Sequence, residues 1–169
     1  MNNNIYLSPH FTLREFTESA TACKYGIVNI PPAEAVENLR RLCENTLEPL
    51  REALGLPVVI TSGYRCKALN ERITHHSSTS QHVKGQAADF YVGYHSTNSG
   101  TVPTRRELLI KAFRMILTDS SVDFDQIILY PGFIHVSYVS REHNRRKLTQ
   151  GFGNGKYCAL TREAALQIY

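Results

Sequence analysis

Two long segments of the chain repeat apolar residues every three or four positions, the spacing that places them on one face of an α-helix. The first segment predicts a helix over residues 33–54. Pro49 lies within it and predicts a kink or an early break, because proline cannot donate a backbone hydrogen bond. The second follows a capping-box sequence formed by Thr104 and Glu107, and predicts a helix over residues 104–118.

Four shorter segments are rich in β-branched and aromatic residues and lack a helical period. They predict strands near residues 57–61, 87–92, 125–130 and 133–139. Pro131 and Gly132 separate the last two and indicate a tight turn, so these strands should form an antiparallel hairpin. Because helices and strands do not alternate regularly, we expect an α+β fold: a small antiparallel sheet with both helices packed against one face.

The length and composition are those of one soluble globular domain spanning residues 1–169. Hydrophobic residues make up 42% of the chain and charged residues 20%, with a net charge of +4. No segment is long and apolar enough for a membrane span. The four cysteines lack C-x-x-C spacing, which gives no support to a cysteine metal site, and in a chain with no visible export signal we expect free thiols rather than disulfides.

Two polar segments are expected to be exposed loops. Residues 75–79 contain the adjacent His75 and His76, which we do not expect to be ligands because neighbouring side chains point apart. Residues 93–101 are rich in serine, asparagine and glycine and show no periodicity.

The residues with the clearest metal chemistry lie between Ser80 and Asp89. His82 and Asp89 are seven positions apart, and Gly85 between them permits a sharp change of chain direction. Zinc accepts such mixed nitrogen and oxygen ligands. His135, in the strand predicted over 133–139, is the best candidate for a third ligand. The alternative is a buried structural histidine beside an aspartate that forms a turn.

The pattern Ser-x-His-x-x-Gly-x-Ala-x-Asp, followed by a histidine in a His-Val-Ser strand, resembles the bacterial zinc D-Ala-D-Ala carboxypeptidase family. That family includes phage L-alanyl-D-glutamate endopeptidases and shares its fold with the hedgehog signalling domain. The resemblance covers about residues 6–147, and each fixed position of the pattern is matched. It implies a Zn²⁺ ion held by His82, Asp89 and His135, with a peptidoglycan peptide as substrate.

Two further residues gain candidate roles from the resemblance. Thr-Ser-Gly-Tyr-Arg, ending at Arg65, is similar to a family signature whose arginine binds a carboxylate of the peptide substrate. The planar guanidinium suits bidentate pairing with a carboxylate. The alternative is a structural arginine that holds the following loop through backbone carbonyls. Ser80 would either hydrogen-bond the substrate or orient His82.

The general base of the family is missing from its usual position. The best-known members carry an acidic residue three positions before the last histidine, and this chain has Gly132 there. Asp125 and Asp123 are the nearest upstream carboxylates, and Asp125 is our candidate base because its strand leads back to His135. Two functions therefore stay open. One is a zinc-dependent carboxypeptidase or endopeptidase, and the other is a metal-bearing module that binds cell-wall peptides without hydrolysing them.

The basic run Arg141–Lys147 suggests a third function, nucleic-acid binding. No aromatic platform or known nucleic-acid motif accompanies it, so we expect no specific nucleic-acid partner. We expect a monomer. The first residues lack the basic and apolar regions of a secretory signal, which predicts a protein that is cytoplasmic as synthesised. Release to the cell wall and a role inside the cell both fit this prediction.

Overall fold

A six-stranded sheet forms the centre of the computed structural model, which describes residues 5–73, 77–94 and 102–169. His75, His76 and most of the loop predicted over 93–101 lie outside the described residues. Within the described ranges, no helix is both long and apolar enough to cross a membrane. The four cysteines, all in those ranges, are free thiols.

The strands are β1 (Tyr6–Ser8), β2 (Phe11–Thr12), β3 (Val58–Ser62), β4 (Ala87–Val92), β5 (Gln126–Leu129), β6 (Ile134–Ser137), β7 (Lys147–Gly151) and β8 (Tyr157–Ala159). The helices are α1 (Leu13–Thr17), α2 (Ala20–Tyr25), α3 (Ala33–Leu42), α4 (Glu48–Leu54), α5 (Lys67–Asn70), α6 (Arg105–Thr118) and α7 (Arg162–Leu166). A π-helical segment, Cys43–Leu47, joins α3 to α4, and a 3₁₀ turn, Gln81–Lys84, precedes β4.

The first predicted helix is confirmed over residues 33–54, as α3, the π-helical segment and α4 in succession. The irregular segment lies immediately before Pro49, which has no N–H to donate to the carbonyl of Asn45. That carbonyl instead accepts a hydrogen bond of 2.9 Å from the backbone N–H of Asp123. The Thr46 hydroxyl donates to the backbone carbonyl of Asp123. The interruption therefore anchors the segment that leads into β5.

The second predicted helix, α6, begins as its sequence indicates. The Thr104 hydroxyl accepts from the Glu107 backbone N–H, and the Glu107 carboxylate accepts from the Thr104 N–H at 2.6 Å. Reciprocal bonds of this kind satisfy donors that a helix N-terminus leaves free. Seven side chains of α6 are buried: Leu108, Leu109, Ile110, Ala112, Phe113, Ile116 and Leu117.

The sheet has the order β3-β4-β6-β5-β7-β8. Its first four strands are antiparallel neighbours and correspond to the four predicted strands. The pairing of β4 with β6 places Asp89 opposite His135.

The part that the sequence did not predict is the extension of the sheet by β7 and β8. Strand β7 pairs in parallel with β5, so that the complete sheet is mixed. Leu148 is buried in β7, but the strand is short and ends at Gly151. Its hydrophobic pattern is therefore too weak to identify a strand, and partners supplied by tertiary structure form it.

The two faces of the sheet differ in what covers them. Phe90, Ile134 and Val136 are fully buried in the core that also contains side chains of α3, α4 and α6. Because side chains alternate along a strand, Asp89 and His135 project from the opposite face. The helices thus cover one face and leave the other for the candidate site.

Gly85 is where the 3₁₀ turn meets helix α3. Its φ is +70°, and a Cβ atom there would lie 2.3 Å from the backbone oxygen of Ala35. The Asn38 side chain also donates to the Lys84 carbonyl at 2.9 Å. Helix α3 therefore fixes the position of the turn that carries His82.

We expect Gly85→Ala to destabilise the protein by about 2–4 kcal/mol, since it combines a left-handed backbone with a steric overlap. The melting temperature should then fall by roughly 5–15 °C. Gly132→Ala is the matched control because no atom lies within 4 Å of its added Cβ. Equal melting temperatures for the two variants would contradict the close packing at Gly85.

Candidate metal centre

His82, Asp89 and His135 converge from three elements: the 3₁₀ turn, β4 and β6. Each offers one ligand atom, and these atoms all lie within 4.8 Å of one another. Asp89 Oδ1 lies 3.3 Å from His82 Nε2 and 2.9 Å from His135 Nδ1. The two histidine nitrogens are 3.2 Å apart.

Local structure explains why the three side chains meet. Asp89 and His135 are directly opposed in the antiparallel pair, which brings their Cβ atoms to about 4.5–5.5 Å. His82 reaches the same point because the chain reverses at Gly85 before entering β4. The backbone N–H of Arg65 donates to the His82 carbonyl at 3.2 Å and ties the turn to the end of β3.

A backbone carbonyl orients the imidazole of His82. His82 Nδ1 lies 2.7 Å from the carbonyl oxygen of Gly63 and donates its proton to it. Nε2 therefore faces Asp89 and His135, and in the neutral ring its lone pair is free to bind a metal ion. Burial lowers the pKa of His82, which favours the neutral form that a metal requires. A hydrogen bond from the second ring nitrogen is typical of histidines that bind metals.

The two carboxylate oxygens of Asp89 have separate partners. Oδ1 faces the histidines, while Oδ2 accepts from Arg65 Nη2 at 2.8 Å. Burial alone would raise the pKa of Asp89, but its contacts with His82 and His135 outweigh burial and hold the pKa below its usual range. The carboxylate is therefore ionised and turned toward the histidines.

Arg65 thus contacts a candidate metal ligand directly. Besides Asp89, its Nε donates to the Ser62 hydroxyl at 3.0 Å. Neither sequence interpretation included these partners, since one assigned Arg65 to the substrate and the other to backbone carbonyls. Arg65 also lines the cavity beside the cluster, and its role in substrate binding stays a prediction.

The cluster fits a zinc ion in chemistry and in spacing. Two imidazole nitrogens and one carboxylate oxygen form a common donor set for catalytic zinc, which has three protein ligands and an open position. Tetrahedral ligands at about 2.0–2.1 Å from zinc are separated by about 3.3–3.4 Å. The donor atoms here are 2.9–3.3 Å apart, so a small outward movement would admit the ion.

The candidate ligands line an open cavity of about 780 Å³. Its walls also include all three residues predicted to act on the substrate: Arg65, Ser80 and Asp125. Ser80 is half-buried and lies immediately before the turn that carries His82. Its predicted task in binding substrate or orienting His82 stays a prediction.

The carboxylate of Asp125 is fully buried and surrounded by donors. Arg145 contacts both of its oxygens through Nε and also donates through Nη2 and its backbone N–H. Gln81 donates to Oδ2 at 2.9 Å, and Ser137 donates to the same oxygen at 3.2 Å. Burial would raise the pKa of Asp125, but these hydrogen bonds lower it to about 2.

A carboxylate with so low a pKa is a weak proton acceptor. The contacts of Asp125 favour a structural role that joins β5 to the turn before β7, while the predicted base role awaits a direct test. Asp123 is also nearly fully buried and pairs with Arg146 at 2.7 Å and Asn144 at 3.0 Å. Asp123 is not among the residues that line the cavity.

Sequence reasoning missed several cavity residues. Arg145 was noted only as part of a basic run, and Tyr130 and Tyr157 received no role. All three line the cavity. The negative charge of Asp125 indicates that a basic partner should lie nearby. The sequence could not identify that partner as Arg145, because the two residues are brought together by the parallel pairing of β5 with β7.

Residues 9–137 match the sequence profile of a family described as Peptidase M15. The match covers well over half of the chain and includes the three candidate ligands. A search of curated proteins found no match.

We expect zinc-loaded wild-type protein to contain about one zinc ion per chain, and His82→Ala or His135→Ala to lose it, because each removes one of three protein ligands. Metal analysis after dialysis measures this. His143→Ala is the control, since His143 lines the same cavity but bonds to Ser140. Full zinc occupancy in either ligand variant would show that the ligand set is wrong.

The low pKa of Asp125 predicts how stability changes in acid. Its folded pKa of about 2 is below its ordinary value of 3.8, so Asp125 stabilises the fold above about pH 4 and loses that contribution as the pH falls toward 2. The contribution is about 2 kcal/mol. Urea unfolding of metal-free wild type and Asp125→Asn should show the difference between them shrinking by that amount from pH 5 to pH 2. Parallel pH profiles would contradict it.

Proposed function

The chain belongs to the Peptidase M15 family, whose members are zinc-dependent, and we propose that it is a zinc peptidase that hydrolyses peptidoglycan stem peptides containing D-amino acids. The observation that carries the proposal is the convergence of His82, Asp89 and His135 at the wall of an open cavity. In this proposal these residues hold Zn²⁺. When bound, the ion supplies a Lewis acid for the scissile carbonyl and lowers the pKa of water.

The chain's own residues then divide the remaining tasks. Gly63 and Arg65 orient His82 and Asp89, respectively, through contacts of 2.7 and 2.8 Å. Such supporting contacts commonly change metal affinity or activity by 10- to 100-fold when they are removed. Ser80 lies at the cavity wall, where its hydroxyl can hydrogen-bond the peptide backbone.

The charge of the cavity fits an anionic peptide. Arg65, Lys84 and Arg145 line it, against the two carboxylates of Asp89 and Asp125. A divalent cation adds further positive charge. Stem peptides carry carboxylates, which such a cavity attracts. The proposal needs no group from a second chain, and we propose a monomer as the active form.

The binding-module alternative is kept because of two specific observations. Gly132 stands at the position where the best-known members carry an acidic residue. Asp125, the candidate base, forms an ion pair with Arg145. A cavity that binds the peptide and a metal, but lacks a base, would recognise the cell wall without cutting it.

Hydrolysis of isolated peptidoglycan by purified protein tests the proposal. We expect zinc-loaded wild type to release new amino or carboxyl termini, and chelation or His82→Ala to abolish the release. The new termini would also identify the bond that is cut and so separate carboxypeptidase from endopeptidase activity. No hydrolysis by fully zinc-loaded wild type would contradict the peptidase proposal, and binding to the wall would then support the module.

The same assay on Asp125→Asn and Asp123→Asn tests the base. A general base contributes about 10²- to 10⁴-fold, so a loss of this size in one variant, with zinc retained, would identify that aspartate. Unchanged rates in both variants would remove them as bases. Asp123→Asn also serves as the matched control, because Asp123 has arginine partners similar to those of Asp125 but does not line the cavity.

A further inference from the structure

Tyr130 occupies a position diagonal to the candidate ligand His135. It follows β5 directly, and its backbone N–H donates to the Phe133 carbonyl at 3.0 Å across the hairpin. Ile128 is opposite His135 in the pairing of β5 with β6. Tyr130 is two residues beyond Ile128 and shares its face, and all three side chains line the cavity. Aromatic side chains reach such diagonal neighbours.

Three neighbours fix the ring of Tyr130. It stacks on Phe133, with ring centroids 4.4 Å apart and planes inclined by 20°. The ring of Tyr157 meets it edge-on, with centroids 6.2 Å apart. On the remaining side, a Cβ atom at Gly151 would lie 2.4 Å from the ring, so β7 approaches it closely only because residue 151 is glycine. The phenol is thus held in place before any substrate binds.

The hydroxyl of Tyr130 is available for a new hydrogen bond. It donates to the Tyr157 hydroxyl at 3.2 Å, longer than the usual 2.7–2.8 Å for such pairs. Burial and the Tyr157 contact raise the pKa of Tyr130, whose electrostatic neighbours include Asp89 and Arg65. The phenol therefore keeps its proton near neutral pH, so that it suits a donor and not a base.

We propose that Tyr130 is a catalytic residue that donates a hydrogen bond to the carbonyl oxygen of the scissile amide, and that Tyr157 positions it. This inference rests on the proposed peptidase function. As a water oxygen bonds to the carbonyl carbon, the π electron pair of the C=O bond moves to the carbonyl oxygen, which gains negative charge. Tyr130 turns its O–H to that oxygen, and the Tyr157 hydroxyl turns its own O–H to the Tyr130 oxygen, so that the contact between the two phenols is kept. The proton stays on Tyr130, and no bond to the phenol forms or breaks. A donor aimed at a developing charge stabilises the transition state more than the ground state.

The positioning role of Tyr157 belongs to a part of the chain outside the family match. Tyr157 begins β8, whereas the match ends at residue 137. The contact with Tyr130 therefore depends on the C-terminal extension of the sheet. This dependence assigns β7 and β8 a role in catalysis in addition to closing one side of the cavity.

The test compares Tyr130→Phe and Tyr157→Phe with wild type, using synthetic stem peptides that end in D-Ala-D-Ala or contain an L-Ala–D-Glu bond. We expect Tyr130→Phe to lower kcat by about 100-fold, with KM within about 3-fold, because it removes one oxyanion donor. Tyr157→Phe should lower kcat by about 3- to 10-fold, since the donor remains but is less well placed. Tyr6→Phe is the control, because Tyr6 is exposed on β1 and does not line the cavity.

Affinity for a phosphinate peptide, a stable tetrahedral analogue of the reacting amide, gives a second measurement. We expect Tyr130→Phe to weaken binding of the phosphinate by a factor similar to its loss in kcat, and to leave binding of the product peptide unchanged. Zinc content and melting temperature should equal those of wild type. A loss of zinc or stability that accounts for the lower rate would overturn the catalytic role.

The outcomes separate this inference from the proposed function. An active wild type with equal kcat in Tyr130→Phe overturns the role of Tyr130 and leaves the peptidase function intact. An inactive, zinc-loaded wild type contradicts the peptidase function. In that case the affinities of wild type and Tyr130→Phe for the phosphinate test the role of Tyr130. Equal affinity of wild type and Tyr130→Phe, or no binding to either, overturns the inference.

Discussion

The pairing of β4 with β6 is the constraint on which the candidate site depends. It sets Asp89 opposite His135 and, by strand alternation, places Phe90, Ile134 and Val136 on the other face in the core. The burial of those three side chains thus fixes the register that brings the two polar side chains together. A slip by one residue would turn the apolar residues into the cavity and the ligands into the core. The register of this strand pair therefore determines both the packing of the core and the geometry of the site.

Much of this arrangement follows from local sequence. The apolar stripe over 33–54, the capping box at Thr104 and the turn at Pro131 each predict their elements, and the Ser80–Asp89 pattern identifies the residues that converge. What could not be predicted depends on contacts between distant segments. Strand β7 has little intrinsic pattern and is formed by its parallel pairing with β5. The hydrogen-bond partners of Arg65 and Asp125 also come from distant segments. Their residue types suggested substrate binding and base catalysis but could not indicate these structural contacts.

The C-terminal extension changes how the cavity is closed. Arg145 lies just before β7 and covers the carboxylate of Asp125, while Tyr157 in β8 contacts Tyr130. Both contacts join the extension to residues of β5 or its ends. Strand β5 thus lies between β6, which carries His135, and β7. A change in β7 or β8 would reach the site through Tyr130 and Asp125 without altering any candidate ligand.

The charges around the cluster bear on how the proposed peptidase would work with Gly132 at the position where the best-known members carry an acid. An imidazole that binds a metal is neutral and adds no charge, and the single negative charge of Asp89 is paired with Arg65 at 2.8 Å. A divalent ion held by these residues would keep most of its positive charge for the substrate, because Arg65 offsets the one charged ligand. The donors that line the cavity include Arg65, Arg145 and the Tyr130 hydroxyl, and Asp125 is its one carboxylate besides Asp89 among the described residues. In the proposed peptidase, these donors would stabilise the negative charge that develops on the carbonyl oxygen, and this contribution would outweigh proton removal by a side chain.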